Sequence, residues 1–156
     1  MTIDIEKYLI PITNIDLERI ISSWQWLAID KTIVAITKSG DILLKDKNDF
    51  LFLLITSLGT IEYKMDDYHD FFNNKASYDL LEDLLLPSLV DKLENNGLIL
   101  LEEEVYSYTL LPILGGAYDE TNIFALNLYE HFMLTGLIHS QIRDKPDGTI
   151  AEIKFE

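Results

Sequence analysis

The chain has 156 residues, 48% of them apolar, a length and composition that support a folded core and make a single domain the expectation. Its 27 acidic and 12 basic side chains leave a net charge of −15, which repels nucleic acid and anionic membrane surfaces and attracts a basic partner. It contains no cysteine, which excludes disulfides and thiolate chemistry and fits a reducing compartment.

Residues 1–12 read as a lead segment ended by Pro11, with neither the basic start nor the long apolar stretch of a secretory signal; a cytoplasmic location is expected. Thr13 or Asn14 is placed to cap a helix whose apolar positions Leu17, Ile20, Ile21 and Trp24 form one stripe, with Trp24 and Trp26 as core anchors. From Lys31 to Met65 the pattern turns to strands: Thr32 to Thr37, Asp41 to Lys45, Phe50 to Ile55 and Ile61 to Lys64. Ser39-Gly40-Asp41 and Asp46 to Asp49 are turns, and the short spacing predicts an antiparallel meander. Asp46, Asn48 and Asp49 lack the glycine and distal glutamate of a calcium loop.

Asp66 to Asn96 reads as helical. Asp66 and Asp67 suit a first N-terminus and Ser77 a second; Pro87 breaks the leucine stripe, and Gly97 suits a left-handed stop. Between Glu62 and Glu104, twelve acidic residues face Lys64, Lys75 and Lys92, giving −9 of the total charge. A solvated helix face and an acidic docking surface both account for this.

Val105 to Thr109 alternates as a strand, and Pro112, Gly115 and Gly116 break regularity. Ile123 to Leu126 is a short strand, and Asn127 with Glu130 opens a helix to about Arg143. Asp147-Gly148 is a turn before a last strand, Thr149 to Phe155. His131 and His139 stand about 12 Å apart along the helix, too far for one metal ion. No phosphate-cradling glycine motif, nucleophile elbow or zinc-binding spacing is present, so no catalytic residue, metal or cofactor is assigned.

Tyr106-Ser107-Tyr108, Pro112, Leu114-Gly115-Gly116, Asn122 and Glu130-His131 together resemble the C-terminal domain of bacterial type VI secretion immunity proteins of the Tdi kind, which protect against DNase effectors. Trp24 or Trp26, Gly40-Asp41 and Gly59 extend the likeness more loosely, from about Trp24 to Arg143. The resemblance implies an immunity-like domain over 13–156 and a non-enzymatic role: binding a cognate toxin, a basic nuclease. Its partner-binding residues are then expected among Asp66, Asp67, Asp70, Glu102, Glu103, Glu104, Tyr108, Tyr118, Asp119 and Glu120, with Pro112, Gly115, Gly116 and Asn122 shaping a loop. The alternative is a regulatory module that binds a small ligand or peptide in a pocket formed by that loop with Tyr106, Tyr108 and Tyr118. The fold expected is α+β, an antiparallel sheet of four or more strands including Tyr106 to Thr109 and Ile123 to Leu126, with helices mainly on one face.

Overall fold

A computed structural model describes residues 3–146, 148–149 and 152–154. Five antiparallel strands stand side by side in sequence order: β1 (Leu9–Ile10), β2 (Thr32–Thr37), β3 (Ile42–Lys45), β4 (Leu51–Ile55) and β5 (Thr60–Met65). The α+β class and the antiparallel meander are as expected. At the β3–β4 turn Asp46 closes its own loop, its Oδ1 accepting from the amides of Asn48 and Phe50. A bulge between Ile33 and Ala35 puts Val34 and Ala35 against one side and Ile33 and Ile36 against the other.

The helices cover both faces, not mainly one. One face of the sheet, with Leu43, Leu51 and Leu53, packs on α2 (Tyr68–Phe72), α3 (Tyr78–Leu85) and α4 (Pro87–Asn95). The other, with Ile42, Leu44 and Leu54, packs on α1 (Leu17–Ile21), the turn holding Trp24, and α5 (Leu128–Ile142). Strands apolar on alternate and intervening positions leave two faces to be removed from water, so one helical layer is insufficient.

The strands β6 (Glu104–Tyr108) and β7 (Ile123–Asn127) also depart from expectation: they pair with each other as a separate two-stranded sheet. The edge of β2 that they would extend is already occupied, because Leu9 and Ile10 pair with Thr37 and Ile36. β6 hydrogen-bonds to the chain just beyond that strand, where the Tyr106 amide donates to the Lys38 carbonyl at 2.8 Å. The lead segment is thus built into the core, with Ile5, Tyr8 and Leu9 all buried.

Local chemistry sets the helix ends. Asp16, rather than Thr13 or Asn14, caps α1 by accepting from the Arg19 amide. Asp67, Ser77 and Asn127 cap α2, α3 and α5 through their side chains. Leu86, at φ 49°, joins α3 to α4, and Pro87 opens the second piece at its first position. The Gly97 and Leu98 amides return to Glu94 and Leu93, a two-bond stop for α4. The expected turn at Asp147 and much of the last strand fall outside the described residues; Thr149 and Glu152–Lys154 are not in strand.

Candidate binding cavity at one end of the sheet

The β2–β3 turn (Lys38–Asp41) and the β4–β5 turn (Thr56–Gly59) lie at the same end of the sheet, because β3 starts where β4 finishes. Helix α5 crosses both. His131 Nε2 lies 2.8 Å from the Gly40 carbonyl oxygen, and His139 Nε2 lies 2.7 Å from the Thr56 carbonyl oxygen. A carbonyl only accepts, so both Nε2 atoms carry the proton and donate. His131 Nδ1 is then the acceptor for the Ser107 hydroxyl at 2.8 Å. Burial pushes His131 down to about 4 and His139 below its usual range, so both rings are neutral near pH 7.

Gly40 permits this junction. It stands at φ +90°, and a Cβ there would lie 2.7 Å from both His131 Nε2 and the Tyr106 carbonyl oxygen. Its own carbonyl accepts from His131 and also from the Thr56 hydroxyl at 2.8 Å. The next residue, Asp41, is 7% exposed. Its Oδ1 accepts from the Thr56 amide at 3.0 Å and lies 3.2 Å from the Thr56 hydroxyl, which in turn is 3.2 Å from His131 Nε2. Burial pushes the Asp41 carboxyl up to about 7, against the lowering effect of the Thr56 bonds; the negative charge of Asp83 adds to the rise.

Asp41, Thr56 and His131 form the floor of a cavity of about 230 Å³. Leu53, Leu86, Leu89 and Val90 wall it, and Tyr108 and Tyr118 meet edge to face above it with centroids 5.9 Å apart. Burial, with the Asp41 charge, pushes Tyr108 up to about 12, so its phenol stays protonated. Ser107 and His131 are not a nucleophile and base: Ser107 is buried, does not line the cavity, and faces a histidine whose other nitrogen is committed to a carbonyl. Among the described residues no three histidine, aspartate or glutamate side chains come together as a metal-holding group.

The residues anticipated from the sequence divide between two ends of the molecule. Asp66, Asp67 and Asp70 sit beside the β3–β4 turn, where the Tyr68 amide donates to the Asp49 carbonyl. Asp67 is a helix cap, Asp70 pairs with Lys75 at 3.8 Å, and Asp66 accepts from the Tyr63 hydroxyl. Glu102, Glu103 and Glu104 belong to the opposite end, near Lys38; Glu104 also accepts from the Leu101 amide at 2.8 Å. Tyr108 and Tyr118 are brought together at the cavity. Asp119 caps the short turn Glu120–Asn122, and Glu120 pairs with Lys92 at 2.9 Å.

Pro112 opens a turn that Gly115 ends at φ +100°. Gly116 lies so close to the Leu110 carbonyl that a Cβ would overlap it. The Asn122 side chain clamps this loop, donating to the carbonyls of Leu110 at 2.7 Å and Ala117 at 3.0 Å while accepting from the Leu110 amide at 3.0 Å. The cavity draws on the tyrosines and not on the glycines. Asp41, Thr56 and Leu86 were not singled out from the sequence: Asp41 read as a turn residue, and only its place after Gly40 at a hairpin marked it.

These features define an antiparallel α+β domain with a tyrosine-rimmed cavity over a buried carboxyl. More particularly, residues 65–139 match the family described as T6SS immunity protein Tdi1, C-terminal. The resemblance carried by Tyr106 to His131 therefore holds over that stretch; the looser likeness upstream of residue 65 lies outside the match. No curated protein matches the chain. Among solved structures, the crystal structure of Atu4351 from Agrobacterium tumefaciens is similar at 14% identity and a TM-score of 0.50, over 76% of this chain and 63% of that one. This likeness shows the fold alone, and the chain spans less than two thirds of that protein's length.

Proposed function

We propose that the chain is a non-enzymatic immunity protein that acts in the cytoplasm by binding a cognate toxin and holding it inactive. The match of residues 65–139 to an immunity-protein family carries this reading. The toxin is a basic nuclease on this account, because the segment from Glu62 to Glu104 has a charge of −9 and a basic partner gains both steering and complementarity. Nucleic acid and membrane are not partners, since both would meet a chain of net charge −15. Among the described residues no helix is long and apolar enough to cross a membrane.

The contact surface is proposed at the cavity end, with Glu102, Glu103, Tyr108, Tyr118, Asp119 and Glu120. Leu110, Leu114 and Tyr118 are exposed there, and exposed apolar groups beside charge suit a protein interface. Asp66, Asp67 and Asp70 contribute long-range attraction from the other end.

Co-expression with toxins encoded beside the gene tests the proposal. Survival together with recovery of a complex is the expected outcome; a toxin that stays lethal and is not bound contradicts it. The cavity favours a second reading, a small-ligand or peptide-binding module, which predicts a ligand retained through purification.

A further inference from the structure

The cavity lining includes a carboxyl with unused hydrogen-bonding capacity. Asp41 Oδ1 is committed to Thr56, but Oδ2 accepts no hydrogen bond from the described residues, although the side chain is more than nine-tenths buried and lines the cavity. Among the described residues only Trp24 Nε1 is a fully buried polar side-chain atom without a partner, so Asp41 Oδ2 keeps access to the cavity and can take a donor that enters from outside. Around it stand aliphatic walls and two tyrosine rings, and the tyrosine faces attract a cation. The hydroxyls of Tyr108 and Tyr118 likewise have no partner among the described residues, whereas that of Tyr106 is taken by the Leu98 carbonyl at 2.6 Å.

Resting on the immunity reading above, we infer that this cavity is the anchor pocket for a lysine or arginine side chain of the toxin, whose cationic head meets Asp41 Oδ2 and whose methylene stem lies between the leucine wall and the tyrosines. The volume of about 230 Å³ is of the order of one long side chain. The chain's net charge of −15 favours a cation over an anion; the Asp83 carboxylate on the cavity lining is already paired with Lys64. The position of Asp41 at about 7 supports the same assignment, because a cation at Oδ2 holds the carboxylate ionised and offsets its desolvation. An arginine so seated has the character of an interface hot spot: central, desolvated and surrounded by a rim that excludes water.

The test uses n-butylguanidinium as a stand-in for the side chain and n-butylurea as its neutral counterpart. Binding is followed by NMR at the Thr56 amide, which donates to Asp41 Oδ1 and so reports on that carboxyl. The unaltered protein is expected to show saturable 1:1 binding of the cation, at least tenfold tighter than of the urea. Asp41→Asn, which retains an acceptor for the Thr56 amide, is expected to lose at least tenfold. Leu89→Trp, which fills the cavity and keeps every charge, is expected to block binding. Failure of the cation to bind, equal binding of the urea, or unchanged binding in Asp41→Asn would overturn the pocket.

The source of the cation is tested separately in cells that carry the toxin. Loss of protection with Asp41→Asn and with Leu89→Trp, both verified as folded, is expected. Full protection by both would show that the toxin does not use the pocket. Absence of protection by the unaltered protein would instead refute the immunity role and leave the probe result standing.

Discussion

His131 Nε2 donates to the Gly40 carbonyl at 2.8 Å, a bond between residues 91 positions apart that fixes α5 to the β2–β3 turn. The Ser107 hydroxyl donates to the other ring nitrogen, so one side chain joins the large sheet, the small sheet and the last helix. Replacing His131 by Ala leaves a cavity and removes a donor and an acceptor from a buried site. The expected loss is about 3 kcal/mol, read as a lower urea midpoint with an unchanged slope. A loss below about 1 kcal/mol would mean that the junction does not hold the layers together.

Two glycine substitutions separate backbone strain from steric overlap. Gly115 has φ +100° with nothing within 4 Å of a Cβ, so Gly115→Ala carries only the left-handed penalty of about 1–2 kcal/mol. Gly40→Ala adds overlap with His131 and with the Tyr106 carbonyl, and its cost exceeds that of Gly115→Ala. Thermal or urea unfolding of both variants ranks them; the reverse order would contradict the description of the junction.

The pH dependence of stability follows from two opposed shifts. Asp41 is raised to about 7, so its contribution is fully present below its unfolded pKa near 4 and is lost as pH rises through about 7. His131 is lowered to about 4, so its contribution is present above its unfolded pKa of 6.5 and is lost as pH falls through about 4. Between those values the two slopes oppose each other. Asp41→Asn removes the first slope alone, so the stability of this variant relative to the parent rises from pH 4 to about 7 and is level above that. Thr56, His131, Tyr108 and Asp83 surround the group, and all are retained in the variant. A difference independent of pH would show that Asp41 titrates as an exposed carboxylate.

Much of the sheet was legible because alternation and turn chemistry are local. Thr32–Thr37 and its turn at Gly40 are found where the pattern put them, and Asp67, Ser77, Pro87 and Asn127 mark helix starts. Long-range pairing was not legible. Nothing within Leu9-Ile10 shows that it takes the β2 edge and so leaves β6 and β7 to pair apart. The cavity was half legible: Tyr108 and Tyr118 stood out as aromatics near a loop. Asp41 did not, because its burial depends on α5, which arrives 90 residues later to place His131 beside Gly40.

If the proposed acidic contact holds, the acidic residues affect association rate more than stability. Changing Glu102 and Glu103 to Gln is expected to alter stability by less than about 1 kcal/mol. Association with a basic toxin should slow and lose part of its salt dependence, with the dissociation rate changing less. Stopped-flow or surface binding at two salt concentrations reads this. Rates insensitive to salt and to both substitutions would assign the charge to solubility.

The most direct measurement is a titration of the purified protein against the activity of a candidate toxin encoded beside its gene, a nuclease on the proposed account. A non-enzymatic blocker gives a linear fall to zero at one equivalent, and activity returns when the complex is dissociated. Inactivation by far less than one equivalent, or full activity at a large excess, would contradict a protein that works by occupying its partner.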